Sequence, residues 1–172
     1  MPATAIKKQP TASDNVVIKS SPKTQTATTP TPRPDSVTIP KIGISVPIVT
    51  GQTQDVNALH TLLDSGVVLY PGSAAFGTDG QTVLLGHSAP AGWPNIKYDW
   101  VFTKLNQLVP GDLVVINYRN QIYYYSVKGT KVIAAGGNLP DNAMAGNSLV
   151  LVSCWPPGKD YKHIAVETIL NQ

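Results

Sequence analysis

Cysteine is nearly missing from this chain of 172 residues: Cys154 is the sole example, so no internal disulfide can brace the fold. A secreted protein without bridges is still compatible with one thiol kept reduced and reactive. No recognisable metal-ligand spacing joins that cysteine to the three histidines, so neither metal nor other cofactor is expected, and the scattered acids form no recognisable site by which calcium dependence could be read. Long apolar runs are lacking as well. Nothing approaches the ~20 residues a membrane helix needs, and no stretch reads as a charged-then-apolar leader. Charged residues make up 13% of the sequence, and arginine occurs only at Arg33 and Arg119.

The few charges are unevenly placed. Residues 1–35 hold Lys7, Lys8, Lys19, Lys23 and Arg33 against Asp14 and Asp35, which gives the whole of the formal net charge of +3. Residues 36–172 hold eight bases and eight acids, so the part able to fold is formally neutral. A pI of about 9.0 therefore does not indicate a nucleic-acid groove, which needs Lys and Arg clustered on the folded surface.

What is present divides at about residue 35. Residues 1–35 contain six prolines and seven threonines with no sustained apolar periodicity, too little to offset the entropy of ordering. They read as a flexible Pro/Thr-rich linker, with Asn15–Ile18 a small apolar island inside it. From Ser36 the chain changes to short β-runs separated by Pro and Gly. These are Val37–Ile39, Gly43–Val49, Val67–Tyr70, Gln81–Leu85, Asp112–Tyr118, Gln121–Lys128, Lys131–Ala134, Leu149–Ser153 and Ile164–Leu170. Such spacing predicts one all-β barrel or sandwich over 36–172, and 42% apolar residues suffice for its core.

Tyr118–Gln121 reads as a hairpin turn, and Tyr123 to Tyr125 alternate faces, so at least one of them is exposed. Val56–Leu63 and Val101–Leu108 carry helical spacing. His60 lies in the first of these and reads as a structural or surface histidine. Trp93, Trp100 and Trp155 read as core or rim fillers.

The chemistry sits at two strand ends. Ser148–Gly158 is an apolar β-run that brings Cys154 to a turn made by Pro156, Pro157 and Gly158, and Thr82–Ser88 repeats the design with Gly86 and His87. A thiol and an imidazole at the ends of separate strands form a candidate nucleophile and base.

These motifs, Leu149-Val-Leu-Val-Ser-Cys-Trp-Pro-Pro-Gly158 with Gly86-His87-Ser88 upstream, resemble the sortases, cysteine transpeptidases of bacterial cell surfaces. The resemblance extends to Ile39–Ile48, Gly66–Gly72 and Val101–Asp112 and covers about residues 36 to 170 in the family's order. It implies a closed, sortase-like β-barrel with short helices in its connecting loops. It also implies an enzyme that cleaves a Leu-Pro-containing sorting signal through a Cys154 thioester and passes the protein to a surface amine, with His87 moving the protons. The partners would be surface proteins bearing such a signal and an amine acceptor, either a cell-wall precursor or a pilin lysine. The location would be the extracellular face of the membrane, held by an N-terminal anchor in the full-length protein, with Met1 standing where that anchor would be. Leu139–Ala143 looks superficially like a Leu-Pro-X-Thr-Gly signal, but its Pro-Asp-Asn core reads as a loop.

One position departs from the family pattern. Sortases place an arginine on the last strand, nine residues after the cysteine where the turn is short; here that position is His163, with Lys162 beside it. Alternation puts Lys162 on the face of Ile164 and Val166, and His163 on the other face with Ala165. If Ile164 and Val166 face the core, His163 faces the groove, although either residue could replace the arginine. Cys154, His87 and His163 are the catalytic candidates, while Lys162, Trp155 and Ser88 are expected to contact substrate. Two other outcomes stay open: an endopeptidase whose thioester is resolved by water, or a sortase-fold peptide-binding module without efficient turnover.

Overall fold

The computed structural model describes residues 33–140 and 147–171. The linker reading over residues 1–32, the Asn15–Ile18 island and the end of the 139–143 loop lie outside the described residues.

Eight strands close into a barrel. They are β1 (Ser36–Ile39), β2 (Ile44–Thr50), β3 (Val67–Leu69), β4 (Gly80–Leu85), β5 (Leu113–Tyr118), β6 (Gln121–Ala134), β7 (Asn147–Trp155) and β8 (Lys162–Leu170). Around the barrel the order is β1-β2-β3-β4-β7-β8-β6-β5, and β5 returns to β1 to close it. Closure leaves no free sheet edge. Two neighbour pairs are parallel. One is β2 with β3, connected through the helix α1 (Val56–Leu63); the other is β4 with β7, connected through the β5–β6 hairpin.

Alternation decides what fills the interior. Ile39, Leu84, Ile116, Tyr125, Leu149, Leu151 and Ile164 point inward and are at most 2% exposed. The opposite face of β4, β7 and β8 carries a second, smaller cluster of Val83, Val150, Val152 and Ala165, which Tyr70, Leu85 and Leu139 cover. These strands are therefore buried on both faces, which explains why β7 reads as a continuous apolar run. The tyrosines follow the same rule: Tyr125 is buried in the barrel, with its hydroxyl accepting from Gly77 N–H, while Tyr124 is 49% exposed.

Helix α1 spans the residues expected of it. Asp55 caps it by accepting from Ala58 N–H at 2.9 Å, and Leu59 and Leu63 pack on Val68. Val56 is not part of that buried face; it is 64% exposed. The β5–β6 turn has Arg119 and Asn120 both at positive φ, as a two-residue hairpin loop of matching twist requires.

Four expectations need correction. Val101–Leu108 is not an α-helix. Its hydrogen bonds close three-residue turns (Leu105 N–H to Phe102 O, Leu108 N–H to Leu105 O), and only Leu105–Gln107 is helical, as a 3₁₀ turn. Its apolar residues satisfy the spacing by inserting Val101, Phe102, Leu105 and Leu108 into the barrel core. The two runs 121–128 and 131–134 form one strand, because a bulge between Val127 and Gly129 absorbs the irregularity instead of ending it. β7 continues past Ser153 through Trp155, and β8 begins at Lys162 rather than Ile164. Cys154 thus lies inside a paired strand, opposite His163.

Candidate active site

The local sequence around Gly86 holds β4 and β7 together beyond their last paired residues, Leu85 and Val152. Gly86 N–H donates to Val152 O at 3.1 Å, and Ser153 Oγ donates back to Gly86 O at 2.7 Å. Only glycine fits at residue 86, since a Cβ there would overlap the ring of buried Phe102. The next two residues are fixed from both sides. His87 O accepts from Phe102 N–H at 2.9 Å, Ser88 Oγ donates to Cys154 O at 2.8 Å, and Ser88 O accepts from Gly158 N–H at 3.0 Å. Backbone and hydroxyl bonds therefore tie the histidine segment to the cysteine segment.

The result is a groove of about 430 Å³ on the outer face of the barrel, lined by both Cys154 and His87. Its walls are largely apolar, with Val56, Leu59, Leu63, Leu85 and Val152 among them. His163 and Asp160 close the polar end: the Asp160 carboxylate lies 3.3 Å from His163 Nε2 and accepts from the Cys154 thiol at 3.9 Å. In β8, Ile164 and Val166 are buried in the barrel core, so His163 takes the outer face beside Cys154.

Electrostatics displace the two groups in opposite directions. Burial pushes the Cys154 thiol above its ordinary pKa, and the charge and hydrogen bond of Asp160 push it further. Burial lowers the pKa of His87; Asp99 opposes this, His60 adds to it, and Asp64 opposes it again. A neutral imidazole and a protonated thiol are the forms these surroundings favour.

On its other side His87 lines a second hollow of about 470 Å³ with His60, Asp64, Ser88, Trp93 and Asp99. Asp64 Oδ1 is 3.8 Å from His87 Nε2, and the His60 and His87 rings are 5.8 Å apart. His60, exposed as expected of a surface histidine, thus borders both hollows.

Not every candidate residue joins the groove. Lys162 is exposed and pairs with Trp155, and neither lines either hollow. Trp155 instead packs against the barrel core, while Trp93 and Trp100 use their ring N–H groups on Asp99 and the Pro94 carbonyl. Arg119 lies over the Tyr118 ring at the hairpin, away from Cys154. Asp160, Asp64 and Asp99 went unread in the sequence. Asp160 sits six residues after the cysteine and three before the histidine, a spacing with no meaning until the β7–β8 register is known.

A closed eight-stranded barrel with a thiol and an imidazole facing one groove defines a class of cysteine acyl-transfer proteins. The Sortase domain model matches residues 37–168, more than half of the chain, and the chain belongs to the sortase family of cysteine transpeptidases, which are associated with the cell surface. Among curated proteins none matches it. Among solved structures, Streptococcus agalactiae sortase C1 superposes with a TM-score of 0.66 at 25% identity, covering 80% of this chain and 67% of its own. Sortase C-1 of Actinomyces oris gives 0.64 at 23%, covering 80% and 73%. Sortase A of Corynebacterium diphtheriae gives 0.62 at 22%, covering 80% and 60%. The last two likenesses speak for the fold alone.

Proposed function

We propose that residues 36–172 are a catalytic domain in which Cys154 cleaves a Leu-Pro-containing sorting signal, and that residues 1–35 are its tether to the cell surface. The observation that carries this reading is the shared groove: Cys154 and His87 face one largely apolar trough open to an extended peptide. The Cys154 sulfur attacks the peptide carbonyl as its proton passes to His87. His87 then protonates the departing amine, leaving a thioester. His163 donates an N–H to the developing oxyanion, the task an arginine performs elsewhere in the family. Substrate contact by Ser88 would be indirect, since its hydroxyl is committed to the Cys154 carbonyl.

The second hollow supports a route for the acceptor. A primary amine arrives as a cation, and Asp64 and Asp99 flank His87 there, so the ammonium is held beside the imidazole that must deprotonate it. The acceptor would be a cell-wall amine or a pilin lysine.

A slower alternative has a specific observation in its favour. Burial and Asp160 raise the pKa of the thiol, and no arginine lines the groove among the described residues. Weak turnover to water, or peptide capture without release, would follow. Incubation with a Leu-Pro-X-Thr-Gly peptide and mass spectrometry decides between these readings. An adduct on Cys154 that added amine converts to a ligated product supports transpeptidation. Hydrolysis unaffected by amine supports an endopeptidase, and absence of adduct supports a binding module. Cys154→Ala should abolish turnover; unchanged cleavage would remove the cysteine from the mechanism.

A further inference from the structure

The departure at residue 163 gives this groove a chemistry that arginine would exclude. Guanidinium stays protonated and donates only, whereas a neutral imidazole nitrogen is a metal ligand. Cys154 Sγ, an Asp160 carboxylate oxygen and a His163 ring nitrogen all lie within 4.8 Å of one another. We propose that these three side chains form a binding site for a borderline-soft divalent cation of the zinc class, and that occupancy silences the thiol.

Geometry supports this. A tetrahedral zinc with ordinary bonds to sulfur, nitrogen and oxygen separates its nitrogen and oxygen ligands by about 3.4 Å and its sulfur and oxygen ligands by about 3.6 Å. The corresponding separations here are 3.3 Å for Asp160 Oδ1 to His163 Nε2 and 3.9 Å for Cys154 Sγ to Asp160 Oδ1. Small side-chain adjustments close the difference, and the Asp160 side chain is 80% exposed and free to make them. The donor set selects the ion. Sulfur and nitrogen suit zinc, cobalt or copper and disfavour calcium and magnesium, which take oxygen ligands. Three protein ligands leave a fourth position open to water on the groove side, and that side is also the entry path.

The step balances without a further reactant. The cation displaces the thiol proton to solvent, so Cys–SH and M²⁺ give Cys–S–M⁺ and H⁺. The sulfur lone pair that would attack a carbonyl then bonds to metal. Inhibition rests on Cys154 being the nucleophile, but metal binding does not.

The two parts are tested separately. Titration of the full chain with Co²⁺ should give one equivalent bound, with a thiolate-to-cobalt charge-transfer band in the near ultraviolet. Asp160→Asn and His163→Arg should each raise the cobalt dissociation constant by at least about tenfold. A second group, Asp64, His87 and Asp99, also has metal-ligand spacing but offers no sulfur. Asp64→Asn should therefore leave the band and its affinity unchanged. Absence of the band, or an affinity lost in Asp64→Asn and kept in the other two variants, overturns the site. In a peptide-turnover assay, micromolar Zn²⁺ should stop the reaction and a chelator restore it, with millimolar Ca²⁺ not competing. Turnover that persists at zinc saturation overturns the silencing. Turnover by Cys154→Ala would instead refute the nucleophile and leave the cobalt result standing.

Discussion

Cys154 and His87 are displaced in opposite directions, the thiol upward and the imidazole downward, with burial the largest cause in both. Their pKa values are thus further apart than the ordinary ones near 8.5 and 6.5. The pH profile of kcat/KM should be a broad bell whose acid limb lies below 6.5 and whose alkaline limb lies above 8.5. Limbs that fall inside those limits would mean that burial does not displace the two groups in these directions in solution. Asp160 contributes to the thiol's shift through its negative charge, so Asp160→Asn should move the midpoint of Cys154 alkylation by iodoacetamide to lower pH. An unchanged or higher midpoint would place the carboxylate away from the sulfur in solution. His163 should respond to substitution in the other direction. Arginine offers a fixed charge and a fork of donors, so His163→Arg should raise the acylation rate, while Lys162→Ala should change it little because Lys162 is outside the groove. If Lys162→Ala stops acylation and His163→Ala does not, the lysine is the arginine's substitute.

The elements explain what sequence patterns could and could not reveal. Alternation alone put His163 on the face opposite Ile164 and Val166, because strand periodicity is rigid and a slip by one residue would invert every side chain; that Ile164 and Val166 fill the core came only with the structure. The β5–β6 turn and α1 were equally legible, since Arg119 and Asn120 lie between two β-runs and Val56–Leu63 carries helical spacing. Val101–Leu108 was not, for its apolar spacing fits a helix and a series of turns alike; the choice belongs to Phe102, which must meet Gly86. The acids around the two hollows were hidden for a related reason: loop carboxylates carry no periodicity. The Gly86 and Phe102 contact is itself open to test. Gly86→Ala should cost about 1–3 kcal/mol from overpacking, read as a drop in melting temperature. It should also depress activity more than the lost stability explains, because His87 follows directly. Wild-type stability in that variant would mean that the ring shifts freely.

At the scale of the whole molecule, the question is where the barrel begins. Composition puts a boundary near residue 35, but Arg33 to Asp35 are bonded to the barrel. Arg119 N–H donates to Asp35 Oδ1 at 2.7 Å, Arg33 N–H donates to Asn120 Oδ1 at 3.1 Å, and Ile48 N–H donates to Asp35 O at 3.0 Å. The first two bonds hold the β5–β6 turn, whose residues both need positive φ, and the third extends the β1–β2 pairing by one rung. Residues 1–32 bring six prolines less the one at 34, and little apolar surface to bury. Two truncations should therefore differ. Removing residues 1–32 should leave the melting temperature within about 2 °C of the full chain, since a segment that buries little adds little. Removing residues 1–35 should lower it further, by several degrees for the roughly 1.5–3 kcal/mol that a hydrogen bond to a charged group contributes. Equal melting temperatures for the two truncations would show that the Asp35 bonds add nothing. A large drop in the shorter truncation would instead show that the Pro/Thr-rich segment packs on the barrel, and its effect on peptide turnover would then tell whether it covers the groove of Cys154.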